Sequence, residues 1–134
     1  MQVQPYLSFE GKCDDAIAFY KEAVDAEVQM LMRFKEAPDQ SMITPESAEK
    51  VMHSALKIGE SVVMASDGRC SGEPGFRGVT LSLSVKSPED AEKYFKALSE
   101  GGHVGMPMSQ TFFASRFGML TDKFGVGWMV MATS

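Results

Sequence analysis

The chain has 134 residues, of which 44% are hydrophobic and 23% charged, with a net charge of −5 at pH 7. A chain this long can bury roughly two thirds of the surface that its unfolded form exposes, so it needs no disulfide or structural metal to fold. Lys and Arg form no stripe with interleaved aromatics, and no apolar run approaches the roughly 18 residues of a membrane span, which argues against nucleic-acid and membrane partners.

In chain order, Met1 to Pro5 lacks the basic and apolar stretches of a signal peptide, and an unprocessed chain is expected. Val3 to Phe9 predicts a strand. The next segment, Cys13 to Val24, carries Ala16, Ile17, Phe19, Tyr20, Ala23 and Val24 at near-helical spacing. Asp14 and Asp15 stand at its start, where carboxylates suit orphan N–H groups and the positive end of the helix dipole. Glu27 to Phe34, Lys50 to Ile58 and Ser61 to Ser66 are three further strand-length runs, the last two joined by a Gly59-Glu60 turn. Glu36 to Ser47, holding Pro38, Asp39 and Pro45, reads as a polar loop.

After the Gly-rich stretch Asp67 to Gly78 the same order restarts. Val79 to Lys86 alternates as a strand, and Ser87-Pro88-Glu89-Asp90 opens a helix with proline in its first turn. Asp15-Ala16 is matched by Asp90-Ala91, Phe19-Tyr20 by Tyr94-Phe95 and Lys21 by Lys96, and Gly101-Gly102 supplies a helix stop. Strands are then expected over His103 to Met108, Ser115 to Thr121 and Gly127 to Ala132, with an Asp122-Lys123-Phe124-Gly125 turn between the last two. The pattern predicts an α+β domain of two βαβββ modules, over about 1–67 and about 78–134 with a connecting loop at about 68–77. Each four-stranded sheet has one face covered by its helix. The other must meet something apolar or enclose a ligand.

The cysteines, Cys13 and Cys70, have no metal-like spacing and form no disulfide framework, so a reducing cytosol is the expected compartment. Three of the eleven methionines' spacings are i, i+2: Met30/Met32, Met106/Met108 and Met129/Met131, each pair predicted to share one strand face. They read as adaptable core filler or as a soft lining for a pocket.

Pro-Tyr-Leu-Ser-Phe at 5–9, Ala-Ile-Ala-Phe-Tyr at 16–20, Val-Met-His-Ser at 51–54, Met-Ala-Ser-Asp at 64–67 and Arg-Phe-Gly-Met-Leu-Thr-Asp-Lys-Phe-Gly-Val-Gly-Trp at 116–128 extend the pattern beyond architecture. These runs resemble the PhnB-like group of the vicinal oxygen chelate, or glyoxalase/bleomycin resistance/dioxygenase, superfamily over nearly the whole chain. The resemblance implies a curved eight-stranded cup with a ligand cavity, and commonly a homodimer. Members of this group have also been named as ubiquinone-pathway methyltransferases. A typical S-adenosylmethionine enzyme has a doubly wound sheet with a Gly-rich turn after its first strand, whereas Phe9-Glu10-Gly11-Lys12 is an ordinary turn.

Enzymes of the superfamily usually hold a divalent metal through His and Glu near the middle of the first and fourth strands of each module. By the resemblance those positions fall on Pro5, Met64, Thr80 and Met129, none of which suits a hard or borderline ion. No metal and no cofactor are expected, and reactions that depend on a Lewis acid lose their main stabilising group.

His53 has two readings: a cavity-facing acid, base or hydrogen-bond donor, or a partly exposed structural histidine. Arg116 lies among Phe112, Phe113, Phe117 and Met119, so its guanidinium must reach a carboxylate, a ligand anion or solvent. Trp128 and Phe113 either stack on a flat ligand or fill the core. Thr80, Ser82 and Ser84 form a polar row, read as a cavity wall or a solvent face; His103, at a strand entry, reads as solvated. No catalytic nucleophile emerges, because aspartates follow Cys13, neither histidine serves a Gly-x-Ser-x-Gly motif, and no phosphate-binding glycine loop is present. The expected function is metal-free binding of an unknown small organic molecule by a homodimer. An enzyme of the same superfamily using an atypical site, and a structural or protein-interaction role, are the alternatives.

Overall fold

Burial alternates along inner strands such as Gly127–Ala132 and not along outer strands such as Glu27–Arg33 and His103–Ser109, and each of the helices Cys13–Val24 and Pro88–Ser99 buries one stripe. A computed structural model describes residues 1–41 and 43–133, and its contacts divide the chain into two units with a boundary between Pro74 and Gly75. The first unit runs β1 (Tyr6–Ser8), α1 (Cys13–Val24), β2 (Glu27–Arg33), a 3-10 turn at Phe34–Glu36, β3 (Val51–Ile58) and β4 (Ser61–Ser66). The second runs β5 (Thr80–Val85), α2 (Pro88–Ser99), β6 (His103–Ser109), β7 (Arg116–Thr121) and β8 (Gly127–Ala132). The expected α+β architecture of two βαβββ modules is present. The expected polar loop includes Met42, which lies outside the described residues.

Among the described residues the strands form two four-stranded sheets of the same design, ordered β1-β4-β3-β2 and β5-β8-β7-β6. The pairs β1/β4 and β5/β8 are parallel and the others antiparallel. Strand β1 is shorter than the apolar pattern suggested. Pro5 has no N–H to contribute, although its carbonyl accepts the Met64 N–H at 2.9 Å and so extends the pairing by one bond. The antiparallel edge strands of the two sheets carry an irregularity at the same place: the register slips between Val28 and Met30 in β2 and between Val104 and Met106 in β6.

In the first unit Leu7, Ser54, Leu56, Val63 and Ala65 lie buried on the face covered by α1, which contributes Ala16, Ile17, Tyr20 and Val24. In the second, Trp128, Val130 and Leu120 are buried on the α2 face with Ala91, Phe95 and Leu98. Each large side chain so buried stabilises its unit by about 1.5–3 kcal/mol against leaving it exposed. Gly118 leaves room there, because a Cβ would stand 2.7 Å from the Phe95 ring and 2.6 Å from the Met108 sulfur and something would have to shift.

The two helices start differently. The Ser87 side chain accepts the Asp90 N–H at 3.1 Å, a local cap with Pro88 in the first turn. Lys12 offers α1 no such cap. Its place is taken by buried Asp67, whose carboxylate accepts N–H groups of Gly11 at 2.9 Å, Cys13 at 2.7 Å and Val51 at 2.7 Å.

Candidate functional site

Strand alternation leaves one face of each sheet without a helix. In the first unit a single row crosses all four strands there: Tyr6 opposes Met64, Met64 opposes Ala55, and Ala55 opposes Met30. His53 opposes Met32 one step along β3 and β2. Met30 and Met32 therefore share this face, as their spacing predicts.

Beside exposed Lys57, opposite Glu27 and one row beyond Ala55 on β3, the face carries a polar pair, Tyr6 and His53. Their rings are stacked with centroids 5.6 Å apart and planes 22° from parallel, and His53 Nδ1 is 3.3 Å from the Tyr6 hydroxyl. Imidazole and phenol together can hold or pass a proton, and each also presents a ring face to a ligand. Tyr6 is 49% exposed and His53 half-buried, so both remain reachable.

The second unit repeats the row with different side chains: Ser82, Met129, Met119 and Met106 oppose one another across β5, β8, β7 and β6. Ser84 faces Met131, and Thr80 faces Gly127. The polar stripe Thr80, Ser82 and Ser84 thus shares its face with Met129 and Met131. Met106 and Met108 do not share a face, contrary to their spacing. The register shift between Met106 and Ser109 turns Met108 towards α2, where its sulfur approaches Gly118.

Sequence position places Met64 and Met129 in the two rows but misses their partners. The row mates are Tyr6 and Ser82, whereas Pro5 and Thr80 lie off these rows. Tyr6 sits in a short strand after proline, where alternation is too brief to assign a face; its pairing with His53 has no local signal.

Other candidates are held elsewhere. Trp128 is buried on the α2 face, and its Nε1–H donates to the Asp122 carboxylate at 2.9 Å. Arg116 Nε donates to Glu92 on α2 at 3.1 Å, and its Nη1 to the Ser115 carbonyl at 3.4 Å. Phe113 is 52% exposed and meets the edges of Phe112 and Phe117, each at 5.1 Å between centroids. His103 is exposed at the start of β6. Burial, reinforced by the Asp67 charge, pushes the Cys13 thiol up to about 12, and burial with the same charge raises Cys70. Neither is an activated nucleophile.

A cleft of about 890 Å³ lies between the turn at Glu10–Lys12, the loop around Thr44–Lys50 and the segment Gly68–Gly72. It carries charges of both signs, from Glu10, Glu46, Lys12, Lys50 and Arg69. Burial opposes the charged form of Glu10, but hydrogen bonds from the Ser71 hydroxyl and the Ser71 and Arg69 N–H groups hold it below the usual range. Lys50 Nζ donates to the Gly11 carbonyl at 2.9 Å. These contacts tie the cleft's own walls together. His53, Met64 and Met129 are not among its lining.

The model of the 3-demethylubiquinone-9 3-methyltransferase family matches residues 1–131. The chain belongs to that family. PA1353 from Pseudomonas aeruginosa is 38% identical, with a TM-score of 0.86 over 98% of this chain and 97% of its own. The PhnB protein from Bacillus cereus is 25% identical, with a TM-score of 0.81 over 98% and 99%. A glyoxalase/bleomycin resistance protein/dioxygenase domain from Frankia has the same fold at 17% identity, with a TM-score of 0.66 over 99% and 95%. Membership of this PhnB-like 3-demethylubiquinone-9 3-methyltransferase family thus goes with the glyoxalase/bleomycin resistance fold.

The family's name implies a methyl-donor cofactor, and the residues do not fit a Gly-rich cofactor turn. The N–H groups of Gly11 and Cys13, which such a turn would direct at a ligand, are already bonded to Asp67. The superfamily's divalent metal fits no better. Tyr6, Met64, Ser82 and Met129 offer phenol, thioether and hydroxyl, and among the described residues no cluster of three His, Cys, Asp or Glu side chains could hold an ion. No helix among the described residues is long and apolar enough to cross a membrane.

Proposed function

We propose that this member of the family binds a small organic molecule on the helix-free face of a sheet, without a divalent metal. The Tyr6–His53 pair set among Met30, Met32 and Met64 carries the reading. A binding site combines a mostly apolar wall with a few placed polar groups, and this face supplies both. Thioethers adapt to more than one ligand shape, while phenol and imidazole fix orientation. In the second unit the corresponding wall comprises Met129 and Met131 with Thr80, Ser82 and Ser84. Phe113 is a further candidate contact; Trp128 and Arg116 contribute by holding their own unit together.

The test is a thermal-shift screen of the purified chain against aromatic acids, thiols, antibiotics and divalent metals. A ligand of the native state raises the midpoint in proportion to ln(1 + [L]/Kd). The expected outcome is stabilisation by an aromatic compound without added metal, with NMR shifts at Tyr6 and His53. Binding that requires a divalent ion, or that leaves both residues unshifted, overturns the reading.

A second reading is favoured by the 3.3 Å contact itself: the pair acts as an acid–base dyad on a bound substrate. It is separated from simple binding by turnover of the ligand that the screen identifies.

A further inference from the structure

The second unit sets three methionines in one cross-strand row, which the first does not. Met106, Met119 and Met129 are consecutive cross-strand partners on β6, β7 and β8, all on the helix-free face. Directly opposed residues on neighbouring strands place their Cβ atoms about 4.5–5.5 Å apart, and methionine's three side-chain torsions let neighbouring sulfurs converge. The register slip before Met106 is essential, because it passes over Gly105 and sets Met106 opposite Met119. Met106 is 44% exposed and the other two are half-buried, so the donors are held by the sheet yet reachable. His103, opposite Thr121 on the same face, adds a nitrogen donor in the neighbouring row.

The equivalent row of the first unit contains Met64 and Met30 with Ala55 between them, which separates the sulfurs. The internal duplication thus provides its own comparison.

We infer that Met106, Met119 and Met129 form a binding site for a soft monovalent cation of the Cu(I) or Ag(I) type. Three thioethers supply a neutral, polarizable donor set, the kind that selects Cu(I) over hard or borderline divalent ions. The site shares Met129 with one of the superfamily's divalent-metal positions but differs from them in its donor chemistry and in drawing its other donors from β6 and β7, and its failure would leave ligand binding at Tyr6 and His53 untouched.

The experiment uses the full chain carrying Cys70→Ser, which removes the more accessible thiol; Cys13 remains buried. Cu(I), kept reduced under anaerobic ascorbate, is titrated against the chromophoric chelator bicinchoninate while ¹³C-methyl methionine spectra are recorded. The expected result is one Cu(I) per chain, with the methyl signals of Met106, Met119 and Met129 shifting together. Met119→Leu should weaken capture at least the roughly tenfold by which even supporting residues affect metal affinity. Met106→Leu, at an exposed position, gives a second variant should Met119→Leu fail to fold. Retention of Cu(I) by the chelator, shifts confined to Met30 and Met64, or undiminished capture by a folded variant would each overturn the assignment.

Discussion

Trp128 Nε1–H donates to Asp122 at 2.9 Å, while the other carboxylate oxygen accepts the N–H groups of Phe124 at 2.9 Å and Val126 at 3.1 Å. One aspartate thereby shapes the β7–β8 turn and fixes the indole in the core. Trp128→Phe should cost about 1.5–3 kcal/mol, the usual worth of a hydrogen bond to a charged group, plus a packing loss. Urea unfolding measures this, and a ligand on the helix-free face should bind the folded variant unchanged.

Gly118→Ala should destabilise by about 1–3 kcal/mol, the usual cost of overpacking a core. The added methyl meets the Phe95 ring at 2.7 Å and the Met108 sulfur at 2.6 Å. Equilibrium unfolding of the variant checks this; an unchanged midpoint would contradict the packing of α2 on β7.

Cys13 gives an alkaline signature. Its thiol is raised from 9.0 to about 12 by burial first and the Asp67 charge second. The native state therefore keeps a proton that the unfolded chain releases. Its contribution to stability is full below 9.0 and is lost as the pH climbs towards about 12. Urea midpoints at about pH 8 and about pH 10 should show that decline, and Cys13→Ala should flatten it. Native Cys13 should also resist iodoacetamide at neutral pH.

Tyr6→Phe and His53→Ala should each weaken a ligand found by the screen by about 1 kcal/mol or more, with modest effect on folding. Arg116→Ala serves as the contrast. Its ion pair with Glu92 has side chains 43% and 51% exposed, and such a pair is worth roughly 0–1 kcal/mol. Calorimetric titration of the three variants distinguishes site from scaffold.

Assembly is expected to be a two-fold dimer. Strands β2 and β6 are sheet edges with exposed Val28 and Val104, features that a symmetric partner covers. Light scattering at micromolar concentration should give twice 14.7 kDa; a mass near 14.7 kDa counts against it.

Most elements were legible because the physics that makes them is local. The bounds Cys13–Val24, Ser61–Ser66 and Gly127–Ala132 agree with the apolar spacing, and Ser87-Pro88 announces its helix by cap chemistry. Where backbone regularity breaks, legibility ends. The slip after Val104 and the second one before Ser109 reorder the faces of Met106 and Met108, and neither is encoded in a simple period-two pattern. The candidate site was half visible for the same reason. His53 and Met64 stand on long strands whose alternation assigns a face, whereas Tyr6 is 47 residues from His53 and meets it only through the β1/β4/β3 pairing. Trp128 and Arg116 looked available because a sequence does not display Asp122 and Glu92 reaching them.

Asp67 and Ser87 do the same task from very different distances along the chain. Ser87 lies 3 residues from the N–H it caps, so the cap of α2 is complete within its own segment. The α1 start depends on a carboxylate 54 residues downstream of Cys13, and closing so long a loop is entropically costly until β3 and β4 are in place. The first helix to be made is therefore the one whose capping group is synthesised last. Two modules with the same blueprint thus differ in where the capping group of the helix comes from: the second finds it in its own segment, and the first receives it from the residue after its last strand.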